Sequence, residues 1–257
     1  LCDRRQRQMC IRDRFTDPTI FEVDEEVEMD TPYGAPSAPL QFGRLRGVEC
    51  VLLRRHGANH QFAPHRVPYR ANLWVLHTAK VEGVIAVATV GGIDSALGAG
   101  AIAVPDQVID YTWGREVTYY DDFSVMGMKH VDMTYPFDEG LRVVLREAAK
   151  QISVPIMWGG TYATTQGPRL ETAAEIRRFE RDGANMVGMT LYPECALARE
   201  LDLRYAAIAV SVNHAAGVAT SQQGIAFEKL GAMIKKGVDA GVSVVSMALE
   251  RLNRQHN

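Results

Sequence analysis

The chain has 257 residues, 47% hydrophobic, 23% charged and 8% aromatic, which supplies a sizeable core and excludes a disordered chain. Its net charge of -3 lacks the basic excess of a dedicated nucleic-acid binder. No uncharged apolar run approaches the roughly 18 to 20 residues that span a bilayer, so neither nucleic acid nor membrane is an expected partner. The four cysteines, Cys2, Cys10, Cys50 and Cys195, form no CxxC pair and no zinc spacing. No disulfide framework or metal is expected, and the expected setting is the reducing cytoplasm.

Residues 1–14 carry five arginines against two aspartates and lack the apolar centre of a secretory signal. They are expected to be a disordered or non-native extension, with the folded domain spanning residues 15–257. The stretch that follows is acidic, then turn-rich through Thr31-Pro-Tyr-Gly-Ala-Pro-Ser-Ala-Pro39, and is expected to be a surface loop. Beyond residue 44 the pattern alternates. Strands are predicted over 48–54, 84–90, 101–109, 156–162, 186–189 and 205–212. Helices are predicted over 69–80, on the face of Leu141, Leu145, Ala148 and Ile152, and from a capping box at Thr172 and Glu175 to a stop at Gly183. Another begins at Pro193, and a long closing helix carries Leu230, Ile234, Val238, Val242, Val245, Leu249 and Leu252 on one stripe. Strand–helix alternation without a linker implies a single α/β domain, a central mixed β-sheet flanked by helices.

Ligands of such sheets bind where strands end. Arg55-His56 closes one predicted strand and suits an oxyanion. Thr89 with Gly91-Gly92 closes another, where backbone N–H groups can approach an anion. Gln166-Gly-Pro-Arg-Leu-Glu171 precedes a helix, Met189-Thr190 offers an apolar platform beside a hydroxyl, and Asn213-His214-Ala215 ends the last strand with an amide that both donates and accepts. Each has a bland counterpart. Arg55-His56 could be a salt-bridged surface pair, Gly91-Gly92 and Asn213 ordinary turn residues, Met189 a core residue, and Glu171 a charge favouring a helix N-terminus. His60, His65 and His77 have no HExxH pattern and suit structural roles. Singly these residues decide nothing, but together they outline an anion site beside a base or sugar site.

The ordered set Thr31 to Pro39, Arg55-His56-Gly57, Tyr69-Arg-Ala-Asn-Leu-Trp74, Thr165-Gln-Gly-Pro-Arg-Leu-Glu-Thr172, Val187-Gly-Met-Thr190 and Pro193-Glu194 resembles the trimeric purine nucleoside phosphorylase and methylthioadenosine phosphorylase family. The resemblance spans residues 30–252. It implies a glycosyltransferase of purine salvage that uses inorganic phosphate as co-substrate, needs no cofactor, and assembles as a homotrimer. It further implies phosphate binding by Arg55, His56, Thr89 and Thr190, ribose against Met189, and the purine facing Asn213, His214 and Ala215. Glu171 and Ile225 match positions that tune the base and 5'-group, and His130 matches a segment lent to the neighbouring subunit's 5'-pocket. Asn213, where adenine-preferring relatives tend to carry Asp, favours a 6-oxopurine such as methylthioinosine. Methylthioadenosine or general purine nucleoside phosphorolysis is the alternative within the class. The alternative outside it is an impaired nucleoside-binding homologue, because residues 1–30 lack the family's Gly-Gly-Thr-Gly loop. Ala88-Thr89 also stands where the family often has Asn-Ala or Thr-Ala.

Overall fold

A computed structural model describes residues 7–11, 20–122, 124, 127–224 and 231–255. Strands β1 (Arg7–Ile11), β2 (Phe21–Val27), β3 (Leu40–Leu45), β4 (Val48–Leu53), β5 (Val81–Gly92), β6 (Ile102–Val104), β7 (Gln107–Asp110), β8 (Met157–Trp158), β9 (Thr161–Thr164), β10 (Ala184–Gly188) and β11 (Arg204–His214) join one mixed sheet. Helices α1 (Tyr69–Thr78), α2 (Glu139–Gln151), α3 (Ala173–Arg181), α4 (Leu191–Glu200) and α5 (Gly231–Gln255) flank it. The path runs β2-β3-β4-β1-β5-β10-β9-β7, while β11 pairs with β5 and β6, and β6 with β8.

The centre of the sheet is buried on both faces, which is why β5 and β11 are nearly continuous apolar runs. Their side chains still alternate with period two. Val84, Ala86, Ala88 and Val90 of β5, with Tyr205, Ala207 and Ala209 of β11, join the core beneath α1 and α4. Ile85 and Val87, with Ala206, Ile208 and Val210, pack beneath α2 and α5. The α5 stripe enters that second core through Val238, Val242, Val245, Leu249 and Leu252, while Leu230 falls outside the described residues. The capping box forms as expected. Thr172 Oγ1 accepts from Glu175 N at 3.2 Å, and Glu175 Oε2 accepts from Thr172 N at 2.7 Å. Arg169 and the Thr172 N–H hold the Glu175 carboxyl down to about 2 against an ordinary 4.5. A carboxyl lowered in the folded state stabilises the fold above its unfolded value, and that contribution disappears as pH falls from about 4.5 through 2. Unfolding midpoints followed between pH 5 and 2 should therefore decline less steeply for Glu175→Gln than for the unsubstituted protein. Equal slopes would dismiss the cap as a source of acid sensitivity.

Four expectations are corrected. Residues 7–11 are not part of a disordered extension: β1 lies between β4 and β5, parallel to both, with Met9 opposite Val51 and Val84. That slot presents unpaired N–H and C=O groups on two sides, which an extended segment satisfies. The acidic stretch before Thr31 is not a loop, because Phe21–Val27 pairs antiparallel with β3, a strand also unforeseen. Only one residue of β2 is fully buried, so the strand has no apolar alternation, and its charges suit an edge. The predicted strand 101–109 divides at Pro105 into β6 and β7, since proline has no N–H for a ladder. The strand 156–162 divides at Gly159-Gly160, whose φ angles of +88° and +106° turn the chain away.

Candidate active site

β5 and β11 run parallel from Arg204 opposite Gly83 to His214 opposite Gly92, with one register shift between Ser211 and Asn213, so their C-terminal ends meet with Asn213 level with Gly91. β4 points the same way through β1. β10 crosses antiparallel at the last residues of β5, pairing Val187 with Gly91, and carries Met189-Thr190 back towards Thr89. Four strand ends therefore border one cavity of about 510 Å³. Arg55, His56, Thr89, Glu171, Met189, Thr190, Asn213 and Ala215 all line it. That volume is ordinary for a small-molecule site.

Arg55 is no surface pair. It and Glu194 are both 0% exposed, with Arg55 Nε donating to Glu194 Oε1 at 2.5 Å and Nη2 to Oε2 at 3.0 Å. Tyr205 Oη donates to Glu194 Oε2 at 2.7 Å, and burial first, then the Glu194 charge, pushes that hydroxyl well up, so it stays a donor. Glu194 occupies the Nε–Nη2 edge of the guanidinium, so any phosphate contact must use another edge. His56 Nδ1 lies 2.6 Å from Phe62 O, and a carbonyl only accepts, so Nδ1 carries the proton. In the neutral ring Nε2 is then the acceptor, and the ring stacks on His60 at 4.8 Å.

Thr190 N donates to Tyr162 Oη at 3.4 Å, and burial raises that buried hydroxyl, with the Thr190 contacts opposing. Gly188 passes directly over the Tyr162 hydroxyl, where a Cβ would collide. Gly188→Ala should cost roughly 1 to 3 kcal/mol by overpacking and displace Met189-Thr190. Thermal unfolding and the KM for phosphate would register both effects. An unaltered melting point would mean that Tyr162 moves aside freely.

Glu171 is half-buried, its Oε1 accepting from Thr165 Oγ1 at 2.6 Å. Asn213 Nδ2 donates to His214 O at 2.5 Å, an assignment the carbonyl dictates, which leaves Oδ1 and the second N–H to serve a ligand. Thr89 is the exposed residue in an otherwise buried stretch of β5.

Two candidates lie elsewhere. His214 is absent from the cavity wall: its Nδ1 is 2.8 Å from Thr220 Oγ1 and its Nε2 3.2 Å from Ser95 O, so it ties two loops together. His130 is exposed and outside this cavity. Ile225 lies outside the described residues. One residue beside the site carries no signal in the sequence. Arg115, on the loop after β7, donates from Nη1 to Met189 O and Tyr192 O at 2.9 Å, and from Nη2 to Thr165 O and Gln166 O at 3.0 Å. Its Nε donates to Gln166 Oε1 at 3.2 Å. A lone arginine in Trp113-Gly-Arg-Glu116 carries no periodic or motif signal that could have singled it out.

The chain is 49% identical over 201 residues to a probable S-methyl-5'-thioinosine phosphorylase of Pseudomonas syringae pv. tomato, covering 78% of this chain and 81% of the relative. It is 45% identical over 195 residues to an S-methyl-5'-thioadenosine phosphorylase of Pyrococcus horikoshii, covering 76% and 74%. A solved methylthioadenosine phosphorylase from Schistosoma mansoni in complex with adenine superposes with a TM-score of 0.88 at 30% identity, over 97% of this chain and 93% of that one. The Phosphorylase superfamily profile matches residues 17–247, a span that includes every strand end around the cavity, and the chain belongs to that superfamily.

Proposed function

We propose that this chain is a pentosyltransferase that cleaves S-methyl-5'-thioinosine with inorganic phosphate, giving hypoxanthine and 5-methylthioribose 1-phosphate. The observation that carries the reading is that anion-holding groups (Arg55, His56, Thr89, Thr190), an apolar platform (Met189) and an amide (Asn213) share one cavity. A phosphate oxygen bonds to the anomeric carbon as the bond to purine N9 breaks; that electron pair leaves with the base, and the proton of the hydrogen phosphate ends on the purine to give neutral hypoxanthine. Positive charge gathers on the sugar and negative charge on the purine, so catalysis rests on groups that favour both. The His56 tautomer suits a phosphate oxygen on Nε2, either P–OH donating to the neutral ring or the imidazolium donating to a dianion. Asn213 then donates its remaining N–H to the N7 and O6 edge, and Glu171, held by Thr165, accepts from N1–H. No electrons or hydride are exchanged, so phosphate is the co-substrate and no cofactor is called for.

Relatives named for both methylthioinosine and methylthioadenosine support the 5'-methylthio assignment, and Asn213 favours the oxopurine. We also infer a homotrimer in which His130 serves a neighbouring 5'-pocket, supported by its exposure away from its own cavity. Light scattering reads the oligomer directly. Base release from methylthioinosine, methylthioadenosine, inosine and adenosine, with and without phosphate, tests the chemistry. Phosphate-dependent turnover fastest on methylthioinosine is expected. Binding without turnover would make the chain a nucleoside-binding protein, and phosphate-independent release would make it a hydrolase.

A further inference from the structure

We infer that Arg115 is the positioning residue that aligns the phosphate and ribose segment with the base-binding segment, an inference resting on the proposed phosphorolysis. A guanidinium has five N–H donors in a rigid plane, and here each meets a protein oxygen. Two go to the 189–192 segment, two to the 165–166 backbone and one to the Gln166 side chain. Arg115 Cζ lies over the Tyr69 ring, 5.4 Å from its centroid, and Nη1 also comes within 3.4 Å of Tyr69 Oη.

What these contacts hold is specific. Met189 O points to Arg115 and the N–H of the same peptide, on Thr190, points to Tyr162 Oη. The peptide plane is pinned from both sides, and with it the directions of the Met189 and Thr190 side chains, both on the cavity wall. On the other arm, the 165–166 backbone presents the Thr165 hydroxyl that orients Glu171. One side chain thus sets the spacing between the groups assigned to sugar and phosphate and the group assigned to base. Misplacement of about 1 Å at such a remove can cost on the order of 10²-fold in rate.

Lysine separates positioning from charge. It keeps the positive charge but offers three donors from one atom and cannot bridge acceptors spread along a planar fork. Kinetics of Arg115→Lys and Arg115→Met should be measured with phosphate and methylthioinosine each varied, well below the melting point of each variant. In both variants kcat should fall at least tenfold and both KM values should rise. A purely electrostatic role would leave the lysine variant active. A role in stability alone would lower the melting point while kcat and both KM values stay within twofold, and either result overturns the inference. Should neither variant fold, Gln166→Leu removes the oxygen that accepts from Arg115 Nε and from the Trp113 N–H, leaves the other four Arg115 contacts in place, and should lower kcat/KM about threefold to tenfold, whereas an unchanged value rejects the role. Should the unsubstituted protein show no turnover, the phosphorolysis reading fails by itself. Calorimetric binding of hypoxanthine and phosphate then decides, with fivefold weaker binding to Arg115→Lys supporting positioning. Equal binding, or none to either protein, rejects it.

Discussion

Glu194→Ala should lower the melting temperature by roughly 10 °C and raise the KM for phosphate. The fully buried Arg55 guanidinium would lose the carboxylate that takes two of its N–H groups, and Tyr205 would lose its acceptor. Removing one member of a buried ion pair costs about 3 to 5 kcal/mol, and each kcal/mol is worth roughly 2 to 4 °C in a domain of this size. Calorimetry under identical buffer measures the shift. A drop below about 3 °C would mean that water or rearrangement already compensates the guanidinium.

The pair is more informative as a functional device than as a stabiliser. Desolvating two charges offsets most of their attraction, and apolar replacements of such pairs are often neutral. The triple variant Arg55→Met, Glu194→Leu, Tyr205→Phe replaces the ion pair and its hydroxyl by side chains of similar bulk. It should recover to within about 2 kcal/mol of the original stability while phosphate use stays impaired. Recovery of both would make Arg55 structural. Recovery of neither would show that the strand ends themselves depend on the charges.

The sequence exposes much of the cavity wall because strand ends bring residues together in a predictable way. Arg55-His56, Thr89, Met189-Thr190 and Asn213 each stand within two residues of the end of a predicted strand, and parallel pairing gathers such groups at one edge. The buried strands 84–90 and 205–212 are legible for the same reason, since both faces are covered and the apolar runs are broken only at Thr89 and Ser211. Illegible features have partners that no local pattern encodes. β2 is an exposed acidic edge held by backbone pairing to β3, so its side chains carry no alternation. β1 occupies an interior slot through backbone pairing to β4 and β5. Arg115 works through four main-chain carbonyls and one side-chain amide from segments 50 to 77 residues away, and a carbonyl's direction is invisible in a residue's identity. His214 shows the converse. Its place beside Asn213 suggests ligand contact, yet successive residues of a strand face opposite sides, and the one after a cavity-lining residue turns to the loops.

Asn213→Asp should lower methylthioinosine turnover by roughly 10²-fold and raise the ratio of methylthioadenosine to methylthioinosine turnover. Asn213, next to last in β11, lies on the cavity wall with Nδ2 on the His214 carbonyl, and that anchor leaves the remaining N–H and Oδ1 for a ligand. A 6-oxopurine offers acceptors at O6 and N7, and N7 becomes more basic as charge moves onto the departing base, so the amide donor strengthens towards the transition state. A carboxylate supplies only acceptors. It would face O6 and N7 unfavourably and also set an oxygen against the His214 carbonyl, so the side chain must rotate or hold a proton. That local conflict predicts some loss of stability, and melting points measured beside the kinetics keep the two effects apart. A 6-aminopurine supplies the donor that aspartate wants, which turns the preference. Glu171 continues to favour N1–H of the oxopurine from its place beside Thr165, so the double variant Asn213→Asp, Glu171→Gln should turn the preference further. A folded Asn213→Asp variant that kept both its rate and its preference would remove the base from Asn213, and with it the ground for choosing methylthioinosine.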